Sequence, residues 1–250
     1  SYVGHDPVEK PVPVRPVIHF MMGGIDSNLN GETPMPGLYA IGETACSGLH
    51  GANRLGSNSL TDLLVSGKRS ADRAADYAKE TGRYAEDPAI NAQAESAVTF
   101  IRELLQRSGG GESISQIRRE MKETLEEGAG IYREEESTLI SCEKIAQLRG
   151  RFDSIEVNDK SNVFNTDLQS ALELRNMLDC AETVTEAALL RKESRGAHQR
   201  LDHVERDDEN FLKHSLAYRQ ADGRPSIEWL DVTITRSQPG VRDYSGGKKE

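Results

Sequence analysis

The stretch GLHGANRLGSNSLTDLL, residues 48–64, sets glycine, asparagine and serine around His50 and Arg54, directly ahead of a regular apolar repeat. A helix N-terminus leaves backbone N–H groups unpaired and carries about half a positive charge, which favours an anion there. Glycines let the backbone approach a ligand. The planar fork of Arg54 matches a carboxylate through two hydrogen bonds. These residues therefore read either as an anion site near Arg54 and a Ser59 helix start, or as a polar turn before a capped helix. Ser59 followed by Asp62 resembles a capping box and predicts a helix from about Leu60.

Along that helix Leu60, Leu63, Leu64, Gly67, Ala71, Ala74, Ala75 and Ala78 form one narrow apolar face, whose small members predict close packing. Upstream the pattern changes to short strands and tight loops. VPVRPVIHF is extended, because each proline biases its predecessor away from helix, and GLYAI (37–41) reads as a short buried strand. His19 ends an apolar run, as a core histidine or as a donor to a ligand carboxylate. His50 reads as a support for the loop backbone. Glu43 follows a strand end, where an acid reaches ribose hydroxyls in dinucleotide folds or lies exposed.

Residues 88–193 read as a helical module with four apolar faces: Ile90 to Leu105, Ile114 to Leu125, Leu139 to Phe152, and Leu168 to Val184. Their short connections favour antiparallel packing. Beyond them FLKHSLAYR and SIEWLDVTIT flank QADGRP, where Asp222-Gly223 signals a hairpin turn. Arg191, Lys192, Arg195 and Arg200 cluster around SRGAH, to face a partner or to pair with nearby acids. The tail SGGKKE reads as loose.

The formal net charge of −10 argues against nucleic acid as the main partner. Mean hydropathy is −0.61, and no apolar run reaches the ~18 residues of a membrane span. Cys46, Cys142 and Cys180 form no CxxC pair, so no disulfide framework or metal site is expected and a reducing compartment fits. Ser1 in place of Met reads as a processed, cut or tagged start. Gly-rich dinucleotide loop, Walker loop, zinc-protease helix and nucleophile elbow are all missing from the sequence.

Three stretches together, RPVIHFMMGGI (15–25), GLYAIGETACSGLHGANRLGSNSL (37–60) and SNVFNTDLQSALELRNMLDCAETVTEAALLRKESRGAHQR (161–200), resemble the flavoprotein subunit of fumarate reductase and succinate dehydrogenase. RDDENFLKHSLAYRQADG (206–223) extends the resemblance, which runs from about Val3 to Tyr244. It implies an α+β fold: a C-terminal segment of an FAD-binding α/β domain (1–80), an antiparallel helical bundle (81–193), and a small domain containing a β-hairpin (194–250). The chain looks like the family's C-terminal half, without the Gly-rich FAD fold, the covalent flavin histidine and the capping domain that supplies the proton donor.

The resemblance assigns His19 and Arg54 to the dicarboxylate substrate, fumarate or succinate. It assigns Glu43 to the FAD ribose, and Asn58, Ser59 and Leu60 to the flavin, with no catalytic proton donor and no metal ligand in 1–250. Hydride would pass between flavin and a substrate polarised by His19 and Arg54. FAD is the implied cofactor of the longer protein, with weak or no binding by residues 1–250 alone. The implied partners are an iron–sulfur subunit and membrane anchors, which would hold the chain on the cytoplasmic face of the inner membrane. Met21 departs from the family pattern, which often has Thr or Asn there. An L-aspartate oxidase shares much of the first two motifs, and a non-catalytic docking module is the alternative for the isolated chain.

Overall fold

The computed structural model describes residues 4, 6, 8–14, 16–82, 87–221, 223–238 and 240. The first region is held by very short pairings. Strand β1 (Ile25–Asp26) lies parallel to β2 (Ala45–Cys46), with Ile25 opposite Ala45. Between them, the Asn28 side chain accepts from the Asn30 and Glu32 backbone N–H groups at 2.9 and 3.1 Å. Glu32 bridges to Tyr39, and a 3-10 turn spans Gly42–Thr44. GLYAI does not form the expected strand, since Tyr39 alone of it bridges, and the described part of VPVRPVIHF is unpaired coil.

Helix α1 (Asn58–Thr81) begins two residues ahead of the expected Leu60. Its N-cap is Ser57, left-handed at φ 68°, with no side-chain cap. The capping box is absent. The packed face overlaps the expected apolar one only in part, sharing Gly67 with it. Buried Ser70 lies against Gly31, Gly67 against Ile41 and Tyr77 against Gly37, while Arg73 donates to Glu32 at 2.8 Å. Leu60 and Leu64 remain 70% and 76% exposed.

The helical region follows the periodicity closely. Helices α2 (Pro88–Gln106), α3 (Ile114–Ala129), α4 (Glu135–Phe152) and α5 (Thr166–Leu190) start and stop near the sequence signals. Asp87 caps Ala89 N–H ahead of Pro88, and Asn165 caps Leu168 N–H at 2.7 Å, as N-cap chemistry requires. Strand β3 (Glu112–Ser113), just before α3, pairs in parallel with β5 (Ile155–Glu156), just after α4. At the other end, Thr138 and Ser141 of α4 donate to the Gly128 and Thr124 carbonyls of α3. Together these contacts make α3 and α4 antiparallel. A Cβ on Gly128 would lie 2.5 Å from the Ser137 carbonyl oxygen, so only glycine permits that approach. The core joins Ile117, Met121, Ile145, Leu148, Leu174 and Leu178 with Leu104 of α2, and Ile155 and Val157 beyond α4. No described helix is long and apolar enough to cross a membrane.

The last region is stapled onto α4 and α5 by arginines. Strand β4 (Tyr132–Arg133) pairs in parallel with β6 (Gln199–Arg200), and a short helix α6 (Asp208–Phe211) precedes the hairpin. Its strands, β7 (Lys213–Arg219) and β8 (Pro225–Asp231), are antiparallel with Ser215 opposite Trp229. The hairpin expectation holds. Gly223 adopts φ 86° in the turn; Asp222 and the SGGKKE tail lie outside the described residues. Arg149 of α4 donates to Glu182 of α5 and to the Gly223 carbonyl. The fold is thus mixed α and β, with the helical core between two loop-rich regions.

Leu178 is fully buried in the core cluster. Leu178→Ala should cost about 2–5 kcal/mol by lost transfer energy and a residual cavity. Urea unfolding followed by far-UV circular dichroism measures this, and a loss below about 1 kcal/mol would contradict the packing described.

Candidate functional site

Two segments meet ahead of α1. The coil through His19 and Phe20 is tied down by Met21, whose backbone N–H donates to Glu43 Oε1 at 2.9 Å. Gly24 then passes so close to the Thr44 backbone that a Cβ would collide with its carbonyl. The coil therefore runs against residues 43–46 before pairing as β1. The Phe20 ring reaches the Arg54 loop: the Arg54 guanidinium carbon lies 4.7 Å from its centroid, and the His50 ring meets it edge-on at 5.3 Å.

Asp62, expected to complete a capping box, instead places Oδ2 3.2 Å from His50 Nε2. Both side chains are 13% exposed, and the approach lies outside hydrogen-bond geometry. His50 therefore braces a ring and a carboxylate through its side chain.

Arg54 is half-buried and makes no ion pair among the described residues. Its Nη1 reaches the Leu55 carbonyl at 3.5 Å, and Nε is buried without a partner. Ser59 Oγ is likewise buried and unpaired, one residue into a helix whose first N–H groups have no side-chain cap. Buried polar atoms left in this state cost stability unless a ligand or water completes them. His19 and Glu43 are exposed, as are Asn58 and Leu60. The structure therefore links the His19, Glu43 and Arg54 segments through Phe20 and Met21, and sets Asn58, Ser59 and Leu60 on one helix start.

The C-terminal region holds the same loop from another side. Ala197 N–H donates to the Ala52 carbonyl at 3.0 Å. Gly196 beside it adopts φ 59°, and a Cβ there would lie 2.5 Å from that oxygen. The SRGAH arginines turn inward to acids. Fully buried Glu193 accepts from Arg191 at 2.8 Å and from Arg195 at 2.8 and 2.9 Å. Arg200, 1% exposed, makes a two-bond pair with Asp202 at 2.7 Å. Lys192 sits 3.3 Å from Glu135. Glu135, Asp202 and His203 lie close enough to share a metal ion, yet both acids are already neutralised by Arg200 and Lys192.

His198 sits among Arg191, Arg200 and Arg133 of β4. Nδ1 faces Arg133 Nη1 at 2.9 Å and Nε2 faces the Arg191 carbonyl at 3.0 Å. A neutral imidazole fits both, accepting at Nδ1 and donating at Nε2. Burial, then Arg133, Arg191 and Arg200, push its pKa down to about 4.

Phe20, the His50–Asp62 contact and the Gly196–Ala52 contact have no local signature in the sequence. The one available sign was an aromatic residue beside His19.

Residues 118–244 match a family model described as the fumarate reductase flavoprotein C-terminal region, and residues 1–60 match an FAD binding domain. The fumarate reductase flavoprotein subunit of Haemophilus influenzae is 50% identical over 98% of this chain and 40% of its own length. The succinate dehydrogenase flavoprotein subunit of Rickettsia bellii is 35% identical over 99% of this chain and 43% of its own. A mutant FrdA chain of E. coli quinol fumarate reductase superposes with TM-score 0.93 at 48% identity, covering 99% of this chain and 42% of that one. The chain thus spans about two fifths of the length of the relatives it matches.

The neutral His198 makes stability depend on pH. Its folded pKa is depressed, so between pH 6.5 and about 4 the unfolded chain binds a proton that the folded chain does not. Stability should therefore fall as pH is lowered through that window. Urea unfolding followed by Trp229, the single tryptophan, should show a shallower fall for His198→Gln. An undiminished slope in the variant would contradict the assignment.

Proposed function

The chain belongs to the fumarate reductase and succinate dehydrogenase flavoprotein family, and on that premise we propose that residues 1–250 carry the dicarboxylate clamp of an enzyme interconverting fumarate and succinate. The observation that carries the reading is Arg54: a half-buried cation with no acid partner among the described residues, ahead of an uncapped helix start. Residues 1–60 match an FAD binding domain, so FAD is the cofactor this region serves.

Arg54 binds one substrate carboxylate through its guanidinium fork, and its uncompensated charge makes that pairing strong. His19, exposed on the coil that Glu43 ties down, donates to the substrate's other polar end. Between them they orient the double bond and draw electron density from it. FAD, when bound, supplies two-electron hydride chemistry. Ser59, with its unpaired Oγ, lies with Asn58 and Leu60 toward the flavin. Their helix start favours negative charge on the reduced ring system. Glu43 spends Oε1 on Met21 and offers its second oxygen to the ribose. None of the assigned residues donates the proton.

We read 1–80 as the closing part of the FAD domain, 81–193 as the helical domain and 194–250 as the C-terminal domain. Relatives include chains of quinol–fumarate reductase complexes. By analogy the protein passes electrons to or from an iron–sulfur subunit, and membrane anchors hold it on the cytoplasmic face of the inner membrane. Residues 1–250 alone are inactive and bind flavin weakly in this reading.

Arg54→Ala in the flavin-loaded enzyme should lower fumarate turnover by roughly 10²-fold or more with flavin content unchanged, while isolated residues 1–250 give no turnover. Loss of flavin together with activity would assign Arg54 a structural role. Wild-type turnover in the variant would remove it from the site.

A further inference from the structure

The clamp reading leaves open what holds Arg54 in place. Several arginines elsewhere in this fold are fixed by acids: Arg151 by Glu112 and Glu120, Arg191 and Arg195 by Glu193, and Arg200 by Asp202. Arg54 has no such partner among the described residues, and its polar contact there is a 3.5 Å approach to the neighbouring Leu55 carbonyl. What lies against it is the Phe20 ring face, 4.7 Å from the guanidinium carbon.

We propose that Phe20 is the positioning residue of the Arg54 clamp, with His50 and Asp62 holding its ring; this rests on the reading of Arg54 as a carboxylate clamp. The physical reason lies in how each kind of partner treats charge. A carboxylate would fix the guanidinium but neutralise it and occupy the fork that must receive the ligand. An aromatic face attracts the cation through its quadrupole, leaving the net charge intact and the N–H edges free. The ring is in turn immobilised. His50 meets it edge-on at 5.3 Å, a favoured aromatic arrangement, and Asp62 on the first turns of α1 places Oδ2 3.2 Å from Nε2 of that imidazole. The coil before β1, the Gly/Asn loop and the helix thus form one row of contacts, Arg54–Phe20–His50–Asp62. Phe20 also sits next to His19, so one short segment presents the second substrate ligand and orients the first.

The test compares Phe20→Leu, which removes the ring but keeps most of the volume, with Phe20→Tyr, which restores the ring face. In the flavin-loaded enzyme Phe20→Leu should raise KM for fumarate roughly tenfold, equivalent to about 1.4 kcal/mol. Its kcat should change by less than about threefold, with flavin content unchanged. Phe20→Tyr should bring KM back to near the wild-type value.

An independent readout needs no variant. The Arg54 Nε–H proton of the wild-type enzyme should resonate upfield of solvent-exposed arginines, because it lies over an aromatic ring. A wild-type KM in Phe20→Leu, or an unshifted Arg54 resonance, overturns the proposal. If Phe20→Leu does not fold, the wild-type resonance decides alone. Arg54→Ala in the same assay separates the two levels. Retained turnover there sinks the clamp reading, whereas an inactive Arg54→Ala beside a normal Phe20→Leu sinks only the role of Phe20.

Discussion

Glu193 is a carboxylate with no solvent exposure, held between the guanidinium groups of Arg191 and Arg195. A buried charge persists only when paired and fully hydrogen-bonded. Here the Asp207 backbone N–H supplies a further donor at 2.9 Å. Arg191 continues outward to the Phe211 and Lys213 carbonyls and lies against Trp229, which fixes the hairpin. Arg195 continues to Asp208 at the start of α6. The turn that follows Arg195, Gly196–Ala197, is thereby presented to Ala52, two residues before Arg54. The position of the proposed clamp thus depends on an ion network far away in sequence.

Seen from the clamp, the arrangement divides labour. The backbone of the Gly/Asn loop is held from the C-terminal side by a hydrogen bond and a glycine contact. The side chain of Arg54 is held from the N-terminal side by a ring. Neither device consumes the charge of Arg54. Pre-organising a cation without neutralising it keeps its full attraction for a dicarboxylate and lowers the ordering cost on binding. The apolar face of α1, with Leu60 and Leu64 exposed, lies beside this site and takes no part in the core of the helical region.

The helical region was legible in the sequence because its signals are local. Asp87-Pro88 and Asn165 sit where caps belong, and Ile117, Met121 and Leu178 recur with the helical period on faces that are in fact buried. The first region was not legible in the same way. Strands of two residues are too short for alternation to register, and the partner of Ile25 is Ala45, outside any local window. The α1 start was misplaced because Ser57 takes a left-handed conformation as N-cap, and Asp62 turns to His50 rather than to the helix end. Composition pointed to the loop around Arg54. The supports of that loop, Phe20 and Gly196, lie in other segments, where only the folded chain reveals them.

The central claim is that Arg54 and His19 bind a dicarboxylate whose electrons exchange with flavin. The most direct measurement uses the flavin-loaded protein under anaerobic conditions, with succinate and L-aspartate added separately while the flavin absorbance is followed. The account predicts that succinate bleaches the flavin and aspartate leaves it oxidised. Bleaching by aspartate with no response to succinate would contradict it.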